Sequence, residues 1–391
     1  MAKPEIRLKG FKGEWSNLSI TKIATLKAGK NFNKNDAVDF PMNGYYPCYG
    51  GNGQRGYVPY YNQEGTFNII GRQGALCGCV NIADGKFYAT EHAVLVTPIV
   101  DTDFNFLHES LVRANINQYA TGAAQPGISV ANVNAQLFLN MPLLDEQKAV
   151  GDYFKSLDSM IQGVTKKIAS LKQMKQACLV SMFPQAGETK PRVRFKGFKG
   201  EWVIVKLSSI AKRITRKNSQ LDSTLPLTIS AAEGLIEQTA FFNNVVASSN
   251  VSGYYLLKKG EFAYNKSYSN GYPFGAVKRL DKYEMGVLST LYIVFSVDES
   301  VSSDYIVHFF DTSLWHKEVA MRAAEGARNH GLLNIGAEDF LDIDIFLPKD
   351  ISEQQQIASF FTSLDKQISL QEARLEKLKQ IKAACLDKMF V

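Results

Sequence analysis

The sequence lacks any long apolar run. Its 391 residues are 45% hydrophobic, but no window approaches the ~18 consecutive apolar residues of a membrane span. The opening MAKPEIRLKGFKGEW also lacks the apolar core of a secretory signal. The sequence therefore predicts a cytoplasmic globular protein that does not contact a membrane.

Catalytic and metal-binding patterns are missing as well. No G-x-x-x-x-G-K-[ST] occurs, and the G-x-G-x-x-G of Gly51, Gly53 and Gly56 has neither the strand nor the helix that a dinucleotide site requires. Cys77 and Cys79 form only C-x-C, and the five histidines show no ligand spacing. We predict no catalytic residue, no metal site and no cofactor in this chain.

What the sequence does contain is a repeat. Residues 5–15 read EIRLKGFKGEW and residues 192–202 read RVRFKGFKGEW. A second pair, 146–183 and 353–390, aligns without a gap and is identical at 16 of 38 positions. The segments between these pieces barely resemble each other. Repeated segments that are conserved, with dissimilar segments between them, predict one scaffold that carries two different recognition surfaces.

The second repeated pair carries a heptad pattern of long helices. Its apolar seam comprises Phe154, Leu157, Ile161, Val164, Ile168 and Leu171 in the first copy, and Phe361, Leu364, Ile368, Leu375 and Leu378 in the second. Lys175, Lys382 and Gln371 interrupt the seam, and Met174 and Ile381 are expected to cover the lysine positions. Because the stripe is narrow and occurs twice, we expect the two helices to pair antiparallel as a coiled coil. Two helices that each pack on their own domain are the alternative.

The variable segments are predicted to be α/β (α+β), with mixed twisted sheets. Strands are expected at 67–71, 93–100, 261–265 and 288–297, and helices near 106–119 and 303–325. The predicted organisation is a variable domain over 1–145, a helix over 146–183, a linker over 184–191, a second variable domain over 192–352 and a second helix over 353–391.

Glycine-rich loops between these strands carry different polar residues at matched positions. Such side chains can discriminate base edges in the major groove, and neighbouring glycines let a loop follow the groove. The candidate DNA-binding residues are Arg72, Gln73, Gln125, Asn265, Lys266, Tyr268, Asn270, Arg328, Asn329 and His330. A formal net charge of +6 is compatible with a polyanionic partner. Ordinary solvated loops are the alternative interpretation.

This layout resembles the specificity (S) subunit of type I restriction–modification systems, the HsdS family. The resemblance covers essentially the whole chain. It is carried by the openings Phe11–Trp15 and Phe198–Trp202, the two dissimilar domains, and the repeated E-Q-x-x-[IV] helices at 146–183 and 353–390.

The resemblance implies that each variable domain reads one half of a split, asymmetric double-stranded DNA sequence. The paired helices would act as a ruler for the unread gap. Two modification (M) subunits that methylate adenine with S-adenosylmethionine, and two restriction (R) subunits that use ATP and Mg²⁺, would assemble with the chain. Two other functions stay open from the residues alone: a coiled-coil adaptor that binds only proteins, and a stand-alone DNA methyltransferase.

Overall fold

The computed structural model describes residues 3–122, 126–185, 187–230, 233–239, 250–267, 271–323 and 333–391. It divides into two compact units: unit 1 comprises residues 1–167 and 371–391, and unit 2 comprises residues 168–370. Within the described residues, no helix is both long and apolar enough to cross a lipid bilayer.

Unit 1 begins with a variable α/β segment. Its strands are β1 (Ser16–Ser19), β2 (Ala24–Ala28), β3 (Tyr46–Gly50), β4 (Gly53–Val58), β5 (Gln63–Glu64), β6 (Phe67–Gly71), β7 (Val80–Ala83), β8 (Lys86–Ala89), β9 (Ala93–Pro98), β10 (Ala120–Thr121), β11 (Gly127–Ile128) and β12 (Phe138–Met141). Its helices are α1 (Ile20–Ile23), α2 (Phe104–Arg113) and α3 (Val130–Gln136), and α4 (Leu144–Ser181) starts here.

Two four-stranded sheets form the body of this segment. Their strand orders are β2-β9-β6-β7 and β4-β3-β8-β5. The first is antiparallel, whereas β3 and β8 pair in parallel, so the sheets are mixed. β1 pairs with β12 in a separate antiparallel ribbon. The start and the end of the variable segment therefore lie side by side.

Unit 2 repeats this plan. Its strands are β13 (Val203–Lys206), β14 (Ala211–Arg213), β15 (Leu227–Ser230), β16 (Gly234–Glu237), β17 (Tyr255–Lys258), β18 (Phe262–Asn265), β19 (Ala276–Arg279), β20 (Met285–Leu288), β21 (Ile293–Val297) and β22 (Asp344–Leu347). Its helices are α5 (Ser303–Phe309), α6 (Leu314–Arg322), α7 (Ala337–Leu341) and α8 (Ile351–Met389). The sheet β14-β21-β18-β19 matches β2-β9-β6-β7 in order, and β13 pairs with β22 as β1 does with β12.

One predicted element of unit 2 is wrong as a single piece. The run predicted as one strand over 288–297 is the end of β20 and all of β21, separated by a turn. Short helices are predicted near 303–325, and α5 and α6 lie there. The chain turns between them, and the indole Nε1 of Trp315 donates to the carbonyl of Phe310 across that turn.

The two long helices pair antiparallel within each unit. In unit 1 the start of α4 packs on the end of α8, so that Tyr153 contacts Cys385 and Asp158 contacts Lys382. In unit 2 the end of α4 packs on the start of α8, as in the pair Lys175–Asp365. Seam residues join the core in both units, for instance Phe154 in unit 1 and Phe361 in unit 2.

Candidate nucleic-acid interface

An open pocket lies at one end of the unit 1 sheets. Its volume is about 410 Å³. It is lined by Gly50, Gly51, Asn52, Arg55, Gln73, Gly74, His92 and Pro126. A concave surface with a few converging polar groups, carried on loops, is suited to recognition.

Glycines allow the two loops of this pocket to meet. A Cβ atom at Gly51 would overlap the backbone carbonyl of Gln73, and one at Gly71 would overlap the carbonyl of Gly51. Gly53 has a φ of +85° at the hairpin turn, a conformation that favours glycine. Strand β4 follows directly, where a dinucleotide site needs a helix. The glycines of this segment therefore shape a hairpin.

Four polar side chains face this pocket. Asn52, Arg55 and Gln73 are exposed, and His92 is half-buried. The guanidinium of Arg55 lies over the ring of Phe32, 4.9 Å from its centroid, which restrains the side chain while leaving its donors available. Amide and guanidinium groups of this kind are the side chains that pair with base edges.

Arg72, a sequence candidate, is anchored to its own unit. Its Nε donates to the carbonyl of Ile128 at 3.2 Å, and the Ile128 amide donates back to the Arg72 carbonyl at 2.8 Å. The Gly74 amide donates to the carbonyl of Pro126. These bonds fix the turn after β6 and leave Gln73 as its exposed polar side chain.

Unit 2 places a cation at the matching position. The ammonium of Lys266, just after β18, donates to the carbonyl of Ile335 at 3.3 Å, and the Leu333 amide donates to the Lys266 carbonyl. The Asn265 side chain accepts from the Ser267 amide. The candidates Gln125, Tyr268, Asn270, Arg328, Asn329 and His330 lie outside the described residues.

Sequence reasoning missed Asn52, Arg55 and His92. Asn52 and Arg55 belong to the glycine-rich run YGGNGQRGYV, so its glycines were a usable signal. His92 lies farther along the sequence, and it lines the pocket only because the fold brings the start of β9 to that site.

Of the two residues predicted to cover the seam lysines, Ile381 packs against the unit 1 core, whereas Met174 is exposed. The lysines themselves form ion pairs. In unit 1 the Lys382 ammonium binds Asp158 at 2.8 Å and Glu109 at 2.9 Å. Burial works against the charged form of Lys382, but these carboxylates outweigh it and raise its pKa. Met174 is 44% exposed. Each seam lysine pairs with an aspartate of the other long helix, and both residues recur at equivalent positions of the two repeats: Lys382 with Asp158, and Lys175 with Asp365.

Unit 2 holds the matching cluster. Lys175 binds Asp311 at 2.9 Å and Asp365 at 2.8 Å, and Lys278 approaches Asp311 at 3.3 Å. His308 completes a group whose ligand atoms are close enough for a metal ion. The Lys175 ammonium, however, already lies against both carboxylates where a cation would bind.

Acid is expected to weaken unit 2 through Asp311. Burial favours a raised pKa for this carboxyl, but His308, Lys278 and Lys175 hold its pKa well below the usual range. Because the folded pKa is depressed, the stabilisation is complete above the ordinary aspartate pKa of about 3.9 and is lost progressively as the pH falls below it. The urea midpoint of unit 2 should therefore fall between pH 7 and pH 3, and fall less in Asp311→Asn. Equal falls in both proteins would contradict this.

The comparisons with known proteins match this geometry. Residues 12–173 and 199–380 each match the type I restriction modification DNA specificity domain. The chain belongs to this family. The chain contains two copies of this specificity domain, one in each repeat. The predicted resemblance and fold class are confirmed.

Two relatives illustrate the similarity. The type I restriction enzyme EcoprrI specificity subunit of Escherichia coli is 34% identical over 166 residues, which are 42% of this chain and 40% of that protein. The chain thus spans less than half the length of this curated relative. The crystal structure of a type I restriction-modification S subunit from M. genitalium has a TM-score of 0.70 at 15% identity, over 100% of this chain and 99% of that one. At that identity the likeness concerns the fold alone.

Proposed function

We propose that this chain is the specificity subunit of a type I restriction–modification complex and reads a split DNA target, with one half read by each unit. The observation that carries this proposal is the repeated plan with different readers. At the matching strand ends, unit 1 presents Gln73 beside Arg72, and unit 2 presents Asn265 beside Lys266. A common frame with exchanged polar side chains is what reading two different sequences requires.

The pocket of unit 1 has the chemistry for direct readout. The Gln73 and Asn52 amides each offer a donor and an acceptor, the pattern that pairs with adenine in the major groove. Arg55 adds a guanidinium suited to guanine or phosphate. The net charge of +6 favours approach to the polyanion.

In this proposal, the partner subunits carry out catalysis. Two M subunits would bring S-adenosylmethionine and methylate adenine, and two R subunits would bring ATP- and Mg²⁺-dependent cleavage. The isolated chain is expected to bind none of these cofactors. The long helix pair would set the length of the unread gap.

Replacing Gln73 with alanine is expected to relax one half of the target only. A lost bidentate contact costs about 1–3 kcal/mol of discrimination at one base pair. Methylome sequencing of cells that express the chain with its M subunit measures this. The wild type should give a split motif, and the variant should tolerate more bases at one position of one half.

Gln54→Ala is the matched control, because Gln54 is exposed on β4 but does not line the pocket. It should leave the motif unchanged. Relaxation in both halves would count against one reader per unit, and absence of a split motif in the wild type would reject the function itself.

A further inference from the structure

A large open cleft lies in unit 1 between the edge strand β7 and the long helix α4. Its volume is about 960 Å³, and α2 and Lys382 of α8 complete its walls. Among the described residues, none lines both this cleft and the pocket of the candidate readers. The proposed reading of DNA therefore gives the cleft no role.

Unit 2 offers an internal comparison, because strand pairing fixes which of its residues correspond to those of the cleft. The matched pairings are Ala24–Pro98, Val94–Ile70 and Ile70–Val80 in unit 1, and Ala211–Val297, Ile293–Tyr264 and Tyr264–Val277 in unit 2. Val80 thus corresponds to Val277. The next two residues, Asn81 and Ile82 in unit 1, correspond to Lys278 and Arg279 in unit 2.

Arg279 joins the edge of the unit 2 sheet to a helix. Its Nε donates to Asp281 at 2.7 Å, and its Nη1 donates to the hydroxyl of Ser303 at 2.9 Å. Its Nη2 binds Asp304, also on α5, at 2.7 Å. The guanidinium therefore fills the space between the edge strand and the start of α5.

Unit 1 has lost this cation but retains part of its binding site. Ile82 is exposed and has no charge with which to bridge the strand to α2. Asp84, which corresponds to Asp281, lines the cleft. Phe104 and Asn105, the first residues of α2, also line it, just as the first residues of α5 bind the arginine. The cleft thus lies where the arginine is missing.

The charge balance beside the seam lysines differs in the same way. Each unit sets a seam lysine against two carboxylates, and unit 2 adds Lys278, which lies 3.3 Å from Asp311. Its counterpart Asn81 is uncharged. Lys155 also lines the cleft, but no ion pair joins it to a described residue. Within the described part of unit 1, this cluster therefore has one more carboxylate than it has cations.

Glu109 is the carboxylate that lacks compensation. It is buried and lines the cleft. Its Oε1 accepts from Lys382 at 2.9 Å, whereas its buried Oε2 has no hydrogen-bond partner. Burial raises the pKa of Glu109, whereas the pKa of Asp311, beside two lysines, is held well below the usual range. A buried carboxylate oxygen is destabilising until a donor reaches it.

His108 adds a neutral acceptor to the cleft wall. Its Nδ1 lies 2.7 Å from Oδ1 of Asn68, whose Nδ2 donates to the Phe104 carbonyl, so the Nδ1 carries the proton and the Nε2 keeps its lone pair. Burial lowers the pKa of His108 to about 4. The ring is therefore neutral near pH 7 and can accept a hydrogen bond from an ammonium group.

We propose that this cleft binds an organic ligand with two cationic groups, which take the places that Lys278 and Arg279 hold in unit 2. One cation binds Oε2 of Glu109, and the other binds Asp84, with the methylene chain of the ligand against Ile82. Aliphatic polyamines and adjacent basic side chains of a peptide share this chemistry. The site does not rest on the proposed function, so either can fail without the other.

The test is isothermal titration calorimetry of the full chain without DNA, using spermidine and, separately, the dipeptide acetyl-Lys-Arg-amide. Wild type should bind one molecule: spermidine alone would assign a free polyamine, and the dipeptide alone a basic peptide segment. Asn81→Lys with Ile82→Arg supplies the cations of unit 2 in unit 1 and should abolish binding. Glu109→Gln should weaken binding about tenfold or more, because it removes a hydrogen bond to a charged group.

Asn35→Lys with Ile99→Arg is the matched control. It adds the same two charges at exposed positions of unit 1 outside the cleft, so it should retain most of the affinity, and circular dichroism confirms that each variant is folded. Absence of binding to the wild type would overturn the proposal, as would equal weakening by the control and the cleft variant. Displacement of the ligand by an equal concentration of MgCl₂ would also overturn it, because any small cation would then suffice.

Discussion

Replacing Lys382 with methionine is expected to lower the free energy of unfolding of unit 1 by about 3 kcal/mol, because it leaves two carboxylates without their counter-ion. Glu109 is buried at 2% exposure, and its Oε2 already lacks a hydrogen-bond partner. Removing one partner of a buried pair costs about 3–5 kcal/mol. The lower end applies here because Asp158, 37% exposed, can recover water.

The measurement is hydrogen exchange followed by mass spectrometry in increasing denaturant, which follows the two units separately. Lys388→Met is the matched control. Lys388 pairs with Glu5 at 2.8 Å, but their side chains are 43% and 69% exposed, so its loss should cost at most about 1 kcal/mol.

A second variant separates charge from packing. Adding Glu109→Gln and Asp158→Asn to Lys382→Met removes the stranded charges and should recover part of the loss. If Lys382→Met alone were as stable as the wild type, the ion pair would have no role in holding α8 against α4 within this unit.

Replacing Phe390 with alanine is expected to destabilise unit 1 by about 3 kcal/mol, and to leave unit 2 unchanged. The ring stacks on Phe106 at 5.2 Å, and contacts Phe154 at 5.6 Å and Trp15 at 6.2 Å. Deleting a buried phenylalanine costs about 3–5 kcal/mol through lost transfer energy and a cavity. The position near the helix end allows some collapse, which favours the lower value.

Faster exchange confined to peptides of 3–122, 126–167 and 371–391 is the expected readout. Val391→Ala is the control, since Val391 is 42% exposed and its truncation should have little effect. Equal loss of protection in both units would contradict the separate cores that the contacts define.

Local sequence patterns were enough to predict regular elements such as strand β6 and the two long helices. Strand β6 lies where an apolar run between glycines predicted it, and the long helices begin at Leu144 and Ile351, two residues before the predicted 146 and 353. Periodicity works here because each long helix buries one narrow stripe against the other helix within each unit, so the pattern and the packing coincide.

Non-local contacts could not be predicted in the same way. A heptad pattern treats Lys175 and Lys382 as interruptions, because it carries no information on which carboxylate they meet. Glu109, on the short helix α2, completes one pair from outside the repeat. The pocket likewise joins Arg55 of β4, Gln73 after β6 and His92 before β9, and only the close loop approach at Gly51 and Gly71 reveals it.

Unit 1 is assembled from both early and late parts of the chain, and this affects its synthesis. The Ile6 amide donates to the Lys388 carbonyl at 2.9 Å, and Phe390 fills the core around Trp15. A ribosome adding about 5–20 residues per second must therefore finish all of 168–370 before the first unit can close. Until then Trp15, Phe106 and Phe154 lack the contacts that Phe390 makes with them, whereas the second unit is continuous in sequence.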